Sequence, residues 1–336
     1  LLDDLFGNVP IITKFDVPAG YLPEQSTRKE VYEFIIQELT ENIPNLSEEV
    51  NNEYYGRFNK WAGYTLLAKM YLNSEIFSDG THKDYDKCIE ACNKVLECGK
   101  YSMETVRKNV FVTNNENSKE IIFALPFDET YVTDWNAFDF HMYSLQPENQ
   151  ATYNFKATPW GGACVIPQYI ESFDPDDQRL KDDFISGPQY DKNGGVLYCT
   201  MGNMKGKPLD YVNKVNSIDD SDENQGWRWG KFEYAEGITN RLSNDFPLLR
   251  YADVYLMKAE ALLRTGHADE AAELVTKVRE RNFTEHPAKA IVTGEQLQET
   301  SCYDYGRRDN VKSTHDHAII QYGRMLDELG WEFSQE

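Results

Sequence analysis

Within "TYVTDWNAFDF", Tyr131, Asp134, Trp135 and Asn136 stand inside six residues. Flat rings beside short amide and carboxylate side chains suit one kind of chemistry. A ring can stack on the C–H face of a pyranose while Asn, Asp, Gln or Arg pairs with the sugar hydroxyls. Two further stretches repeat the theme. In "TPWGG", Trp160 precedes two glycines that have no side chains to cover its face. In "QGWRWGKF", Trp227 and Trp229 are two residues apart, so an extended backbone would point both rings the same way. One aromatic contact contributes on the order of 1 kcal/mol, so a site built from a few of them would capture weakly and release fast. Each ring also has a plainer reading, as a staple that pins a long loop onto its support. Trp61, inside an almost wholly apolar helical run, is read as core.

Other chemistries find little footing. "DDSDENQG" hints at a calcium loop, but counted from Asp220 its glycine comes one place late, and the twelfth position is Lys231 where a bidentate Glu is needed. "HDH" at His315 to His317 lacks a third ligand nearby. Cys88 and Cys92 share one helical face, the buried one, and read as small core residues; the six cysteines form no zinc-type pair of CxxC motifs. No HExxH, GxSxG, P-loop or GxGxxG element supports hydrolysis or a nucleotide cofactor. With 56 acidic residues, any chosen carboxylate pair is uninformative about glycoside cleavage.

A formal net charge of −22 repels nucleic acid over most of the surface and favours neutral or cationic partners. The acids are spread along the chain instead of forming a tail, which reads as solvated surface. No apolar run approaches the roughly 18 residues of a membrane-spanning helix. Both ends look cut: "LLDDLFGNVP" starts as an apolar helical end without a cap, and "IIQYGRMLDELGWEFSQE" is still in helical rhythm at Glu336. The sequence therefore reads as the central part of a longer mature protein.

The elements that must position the rings are helical. In the segment from Arg250 to Asn282, Ala252, Leu256, Ala259 and Leu263 recur at helical spacing, widened by Tyr255 and Leu262. Gly266 supplies a stop, and Ala271, Leu274, Val275 and Val278 form the buried face of a second helix. Ala259, Leu262, Gly266 and Ala271 keep the small, large, Gly, small spacing of a tetratricopeptide repeat (TPR). The same template fits upstream with Ala68, Tyr71, Cys88, Cys92 and Val95, with an enlarged inter-helix loop near Phe77. A further helix is expected over about 28–43. Between about 100 and 244 the rhythm gives way to Gly, Pro, Asp and Asn punctuation around the short extended run "EIIFALPF". The expected fold is mostly α, one α/α-superhelix-type domain over 1–336, with TPR-like pairs at about 57–99 and 250–282 flanking a large loop-rich insertion.

Taken in order, "DLFGNVPI", "GRFNKWAGYTLLAKMYLN", "NSKEIIFALPF", "FDPDDQR" followed by "GPQYDKNG", "RYADVYLMKAEAL" and "LDELGWEF" give the chain its resemblance to the SusD/RagB-like family. These are surface glycan-binding lipoproteins of Bacteroidetes polysaccharide-utilisation systems, and the resemblance runs over nearly all of the sequence. It implies TPR units on one side and an irregular glycan-binding face on the other. It also implies an outward-facing place on the outer membrane, held by a lipid on a cysteine outside this sequence, beside a SusC-like TonB-dependent transporter. The implied role is non-catalytic capture of oligo- or polysaccharide for uptake, without cofactor or metal. Tyr131, Asp134, Trp135, Asn136, Trp160, Trp227 and Trp229 are the candidate contacts. The alternatives are a TPR-type scaffold whose aromatic insertion touches protein and, behind it, a glycoside hydrolase.

Overall fold

The computed structural model describes residues 1–132, 137–217, 220–305 and 318–336. After the short helix α1 (Leu2–Phe6), α2 (Arg28–Asn42) starts on a capping box. Thr27 accepts from the Glu30 amide, and the Glu30 carboxylate accepts from the Thr27 amide at 2.8 Å, so two otherwise unpaired N–H groups are satisfied. Ile43 and Pro44 end the helix in a 3₁₀ turn, as the sequence predicts.

The first helical pair is α3 (Lys60–Leu72) and α5 (Tyr85–Leu96), with α4 (Ser74–Phe77) occupying the enlarged loop between them. The pairing works because the facing residues are small: Ala68, Cys88, Cys92 and Val95 are fully buried. They share one core with Tyr251, Val254 and Met257, so the second pair packs directly on the first. Its helices are α10 (Tyr251–Arg264) and α11 (Ala268–Arg279). Gly266, at φ +86°, turns the chain between them in the left-handed region. Ala259 and Ala271 are both fully buried at the crossing, and Leu256, Val275, Val278 and Met325 complete that core. The fold is mostly α, in agreement with the expectation.

The insertion is closed at its base by a two-stranded antiparallel ribbon. Strand β1 (Ile121–Leu125) pairs with a strand at its far end, Phe246–Arg250, in the register Ile121 with Arg250. The sequence reading assigns no element to 246–249; Pro247, within this strand, is a residue tolerated at a sheet edge. Between them, among the described residues, lie four short helices, α6 (Phe140–Ser144), α7 (Gln150–Tyr153), α8 (Pro167–Glu171) and α9 (Gln178–Asp182). Two small ribbons accompany them: Phe184–Ile185 with Arg228–Trp229, and Gly187–Pro188 with Asp210–Tyr211. The insertion has its own aromatic core, in which Phe138 meets Phe232 edge to face with ring centroids 4.7 Å apart.

Helix α12 (Gly294–Gln298) precedes the last helix, α13 (Gly323–Phe333), which joins the two parts. Glu332, fully buried, has Arg250 Nη1 at 2.9 Å, Arg281 Nη2 at 2.7 Å, Arg179 Nη1 at 3.4 Å and Arg107 Nε at 3.7 Å. Burial pushes its carboxyl up, but Arg281, Arg250, Arg107 and Arg179 outweigh that and hold it well below the usual carboxylate range. Two sequence expectations are corrected here. Part of the acidity is not solvated surface: Glu120, Asp177, Asp183, Glu328 and Glu332 are buried against arginines. Nor does the helical rhythm run to Glu336. The helix ends at Phe333, Gln335 adopts φ +66°, and the turn delivers the Glu336 carboxylate to Arg250 Nε at 2.7 Å.

Candidate functional site

The insertion opens a cleft of about 750 Å³ between three stretches of irregular backbone: 160–166, 201–203 and 220–228. Trp160 stands at its rim, 52% exposed. The backbone beneath the ring is clipped to α6. The Trp160 N–H donates to Met142 O at 2.8 Å, Gly161 to Leu145 O at 3.0 Å, and Ala163 to Tyr143 O at 2.9 Å. Tyr143, 49% exposed, meets Trp160 edge to face with centroids 4.8 Å apart, so the two rings brace one another. Gly161 has φ +73°, and a Cβ there would come within 2.8 Å of Gln146 Oε1. The glycines after Trp160 therefore do more than uncover the ring; they let the chain turn tightly over Gln146.

Carboxylates and amides line the depth of the cleft. Asp222, half-buried, accepts from Asn203 Nδ2 at 3.3 Å and Gln225 Nε2 at 3.2 Å, which orients it between two walls. Glu223 accepts from the amides of Thr200 at 3.0 Å and Met201 at 2.9 Å, tying the 201–203 wall to the 220s. Burial pushes the Glu223 carboxyl up; the Met201 and Thr200 amides pull it down, and the neighbouring Glu148 carboxyl adds to the rise. Arg228 lies on the floor, 2% exposed, its Nη2 donating to Glu223 O at 2.9 Å and its guanidinium over the Tyr211 ring at 4.7 Å.

Of the candidate contacts, Trp160 lines this cleft and Tyr131, Trp227 and Trp229 do not. Tyr131 is 85% exposed on a turn held by its amide's bond to Asp128 Oδ1 at 3.1 Å. Asp134, Trp135 and Asn136 lie outside the described residues. Trp227 packs on the cluster of Ile170, Phe173, Phe184 and Trp331. Trp229, against Phe140 at 5.2 Å, lines a separate hollow of about 410 Å³ that also contains Phe184. The extended backbone thus sends both tryptophans toward Phe184 and sends Arg228, between them, into the cleft. That alternation is present in "WRW" and could have nominated Arg228. Tyr143, Gln146, Asn203 and Asp222 carry no such local signal. Among the described residues no three His, Cys, Asp or Glu side chains are placed to hold a metal ion, and no helix is long and apolar enough to cross a membrane.

Comparison with known proteins bears on the fold and its family. The sequence model of the SusD family matches residues 119–301, more than half of the chain. The chain belongs to the SusD family. A second family model, described as starch-binding and associating with the outer membrane, matches residues 1–72. The starch-binding protein SusD of Bacteroides thetaiotaomicron is 23% identical over 91% of this chain and 60% of its own length. Among solved structures, a SusD-like protein from Bacteroides fragilis superposes with a TM-score of 0.67 at 19% identity, covering 98% of this chain and 62% of that one. Surface glycan-binding protein A from Bacteroides uniformis gives 0.64 at 17% identity, covering 99% and 60%. These structural likenesses establish the SusD fold. The chain spans about three fifths of the length of the SusD relative it matches.

Proposed function

We propose that this SusD-family chain binds oligo- or polysaccharide at the cell surface without altering it, and presents it to a TonB-dependent transporter of the outer membrane. The protein would face outward, held by a lipid anchor outside this sequence, and residues 1–336 would act as one unit in which the helix pairs support the binding face. The observation that carries the reading is the cleft beneath Trp160. A braced, half-exposed ring stands over oriented carboxylate and amide groups, the combination that a pyranose with one apolar face and several hydroxyls requires. The names of the relatives, starch-binding and surface glycan-binding, support carbohydrate as the ligand class. Tyr131, Asp134, Trp135, Asn136, Trp227 and Trp229 remain proposed glycan contacts, of which Trp229 lines the separate hollow. Weak capture suffices for such a role, because tethering beside the transporter raises the effective concentration of bound glycan.

The test is native affinity electrophoresis of the protein through gels containing a panel of neutral polysaccharides and host glycans. Selective retardation by one of them is expected, and Trp160→Ala should abolish it. Migration unchanged across the whole panel would overturn the carbohydrate reading in favour of a protein-interaction scaffold.

A further inference from the structure

The lining of the Trp160 cleft is unequal in its hydrogen-bonding capacity. Asp220, Asp222 and Glu223 present carboxylates, which only accept when ionised, and Gln146 directs Nε2 away to Glu223 O at 3.0 Å, leaving Oε1 beside Gly161. Part of the amide donor capacity is spent within the lining, since Asn203 Nδ2 and Gln225 Nε2 each give an N–H to Asp222. Among the described residues that line the cleft, Arg228 is the single cation, and its charge is turned inward. It is 2% exposed, its Nη2 and Nη1 donate to the carbonyls of Glu223 at 2.9 Å and Ala163 at 3.4 Å, and Tyr211 covers a face of the guanidinium. The Asp220 and Asp222 side chains are the more open ones, exposed and half-buried respectively.

With three carboxylates against one inward-turned cation, an occupant gains most by donating. Sugar hydroxyls can donate, and an ammonium group can do so with charge assistance. A carboxylate or sulfate cannot: it brings acceptors to acceptors and like charge to like charge, and such a juxtaposition discriminates strongly against the wrong ligand. We propose that this cleft selects by hydrogen-bond polarity and charge, taking glycan segments that are uncharged or carry an amine and rejecting segments that carry carboxylate or sulfate. The inference rests on the carbohydrate-binding reading and narrows it to a ligand class.

The experiment starts from the polysaccharide that retards the protein most in the affinity gels. Separate portions are oxidised to carboxylates and converted to amines at the primary hydroxyl, and titration calorimetry compares them with the parent chain. The carboxylated chain should bind at least about tenfold more weakly than the parent, in line with a like-charge penalty, while the aminated chain, of similar size, binds as tightly or more tightly. The double substitution Asp220→Asn with Asp222→Asn should recover part of the loss for the carboxylated chain and weaken the aminated one. Equal or tighter binding of the carboxylated chain overturns the inference. A uronate-bearing or sulfated chain as the preferred ligand, with retention that depends on Trp160, also overturns it while leaving carbohydrate binding in place. Retention of no chain of any class removes both readings together.

Discussion

The helix pairs and the insertion they flank are stabilised in different ways. Between the helices, contact is made by residues with little or nothing to rotate, Ala68, Ala259, Ala271, Cys88 and Cys92, all fully buried at regular spacing. Each helix satisfies its own backbone, so side chains only have to fit. The insertion has few ladders to absorb its carbonyls, and long polar side chains do so instead. Lys108 Nζ donates to Asp182 O at 2.7 Å and Lys231 O at 2.9 Å, Asn115 Nδ2 to Val110 O and Asp245 O at 2.8 Å each, and Asn244 Nδ2 to Phe111 O at 3.0 Å. The contrast teaches that an irregular face can be as ordered as a helical one, provided that buried donors reach its loose carbonyls. It also predicts where each part breaks.

The largest effect belongs at the joint between the two. Glu332 faces arginines from both: Arg107 and Arg179 from the insertion, Arg250 and Arg281 from the second helix pair. Glu332→Ala leaves those charges buried without their shared partner, and about 3–5 kcal/mol of stability should be lost by denaturant titration. Because the folded carboxyl is held below its ordinary value of 4.5, its contribution is complete above that pH and is lost as pH falls below it. A variant of native stability would show that the joint does not hold the two parts together.

A smaller effect should be confined to the insertion. His141, on the helix that clips Trp160, is fully buried; its Nε2–H donates to Thr239 O at 3.0 Å, and burial lowers its pKa to about 4. In the unfolded chain the imidazole takes its proton near 6.5, so the unfolded state binds more protons as pH falls from about 6.5 to about 4, and stability declines by up to about 3 kcal/mol over that window. His141→Leu should flatten this slope. If the slope persists unchanged in the variant, the pH sensitivity of the insertion resides elsewhere.

Sequence alone disclosed the two regions unequally, for the same physical reason. Helix pairs repeat, and the spacing of Ala259, Leu262, Gly266 and Ala271 exposes them; the helix expected over about 28–43 is likewise present as α2. In the insertion, Trp160 with its two glycines was legible because the signal is contiguous. Gln146, Asn203 and Asp222 converge from separate loops whose paths are fixed by bonds such as those from Thr200 and Met201 to Glu223. No periodicity encodes that convergence. The buried arginines were hidden as well, since composition counts charges without saying which of them pair.

The smallest effect on stability separates two tryptophans that sequence treats alike. Trp227 packs on Ile170, Phe173, Phe184 and Trp331, so Trp227→Ala should open a cavity and cost a few kcal/mol, about 2–3 for a partly buried ring. Trp160 is half-exposed and braced mainly by Tyr143, while its backbone is held by bonds that do not involve the indole. Trp160→Ala should therefore cost under about 1 kcal/mol in thermal or denaturant melts, as for surface side chains, yet remove glycan retention. If Trp160→Ala destabilises the chain as much as Trp227→Ala, the ring is a staple for its loop, and exposure at the rim is incidental. If it melts like the parent and no longer binds, the ring contributes to the ligand what its neighbours contribute to the fold.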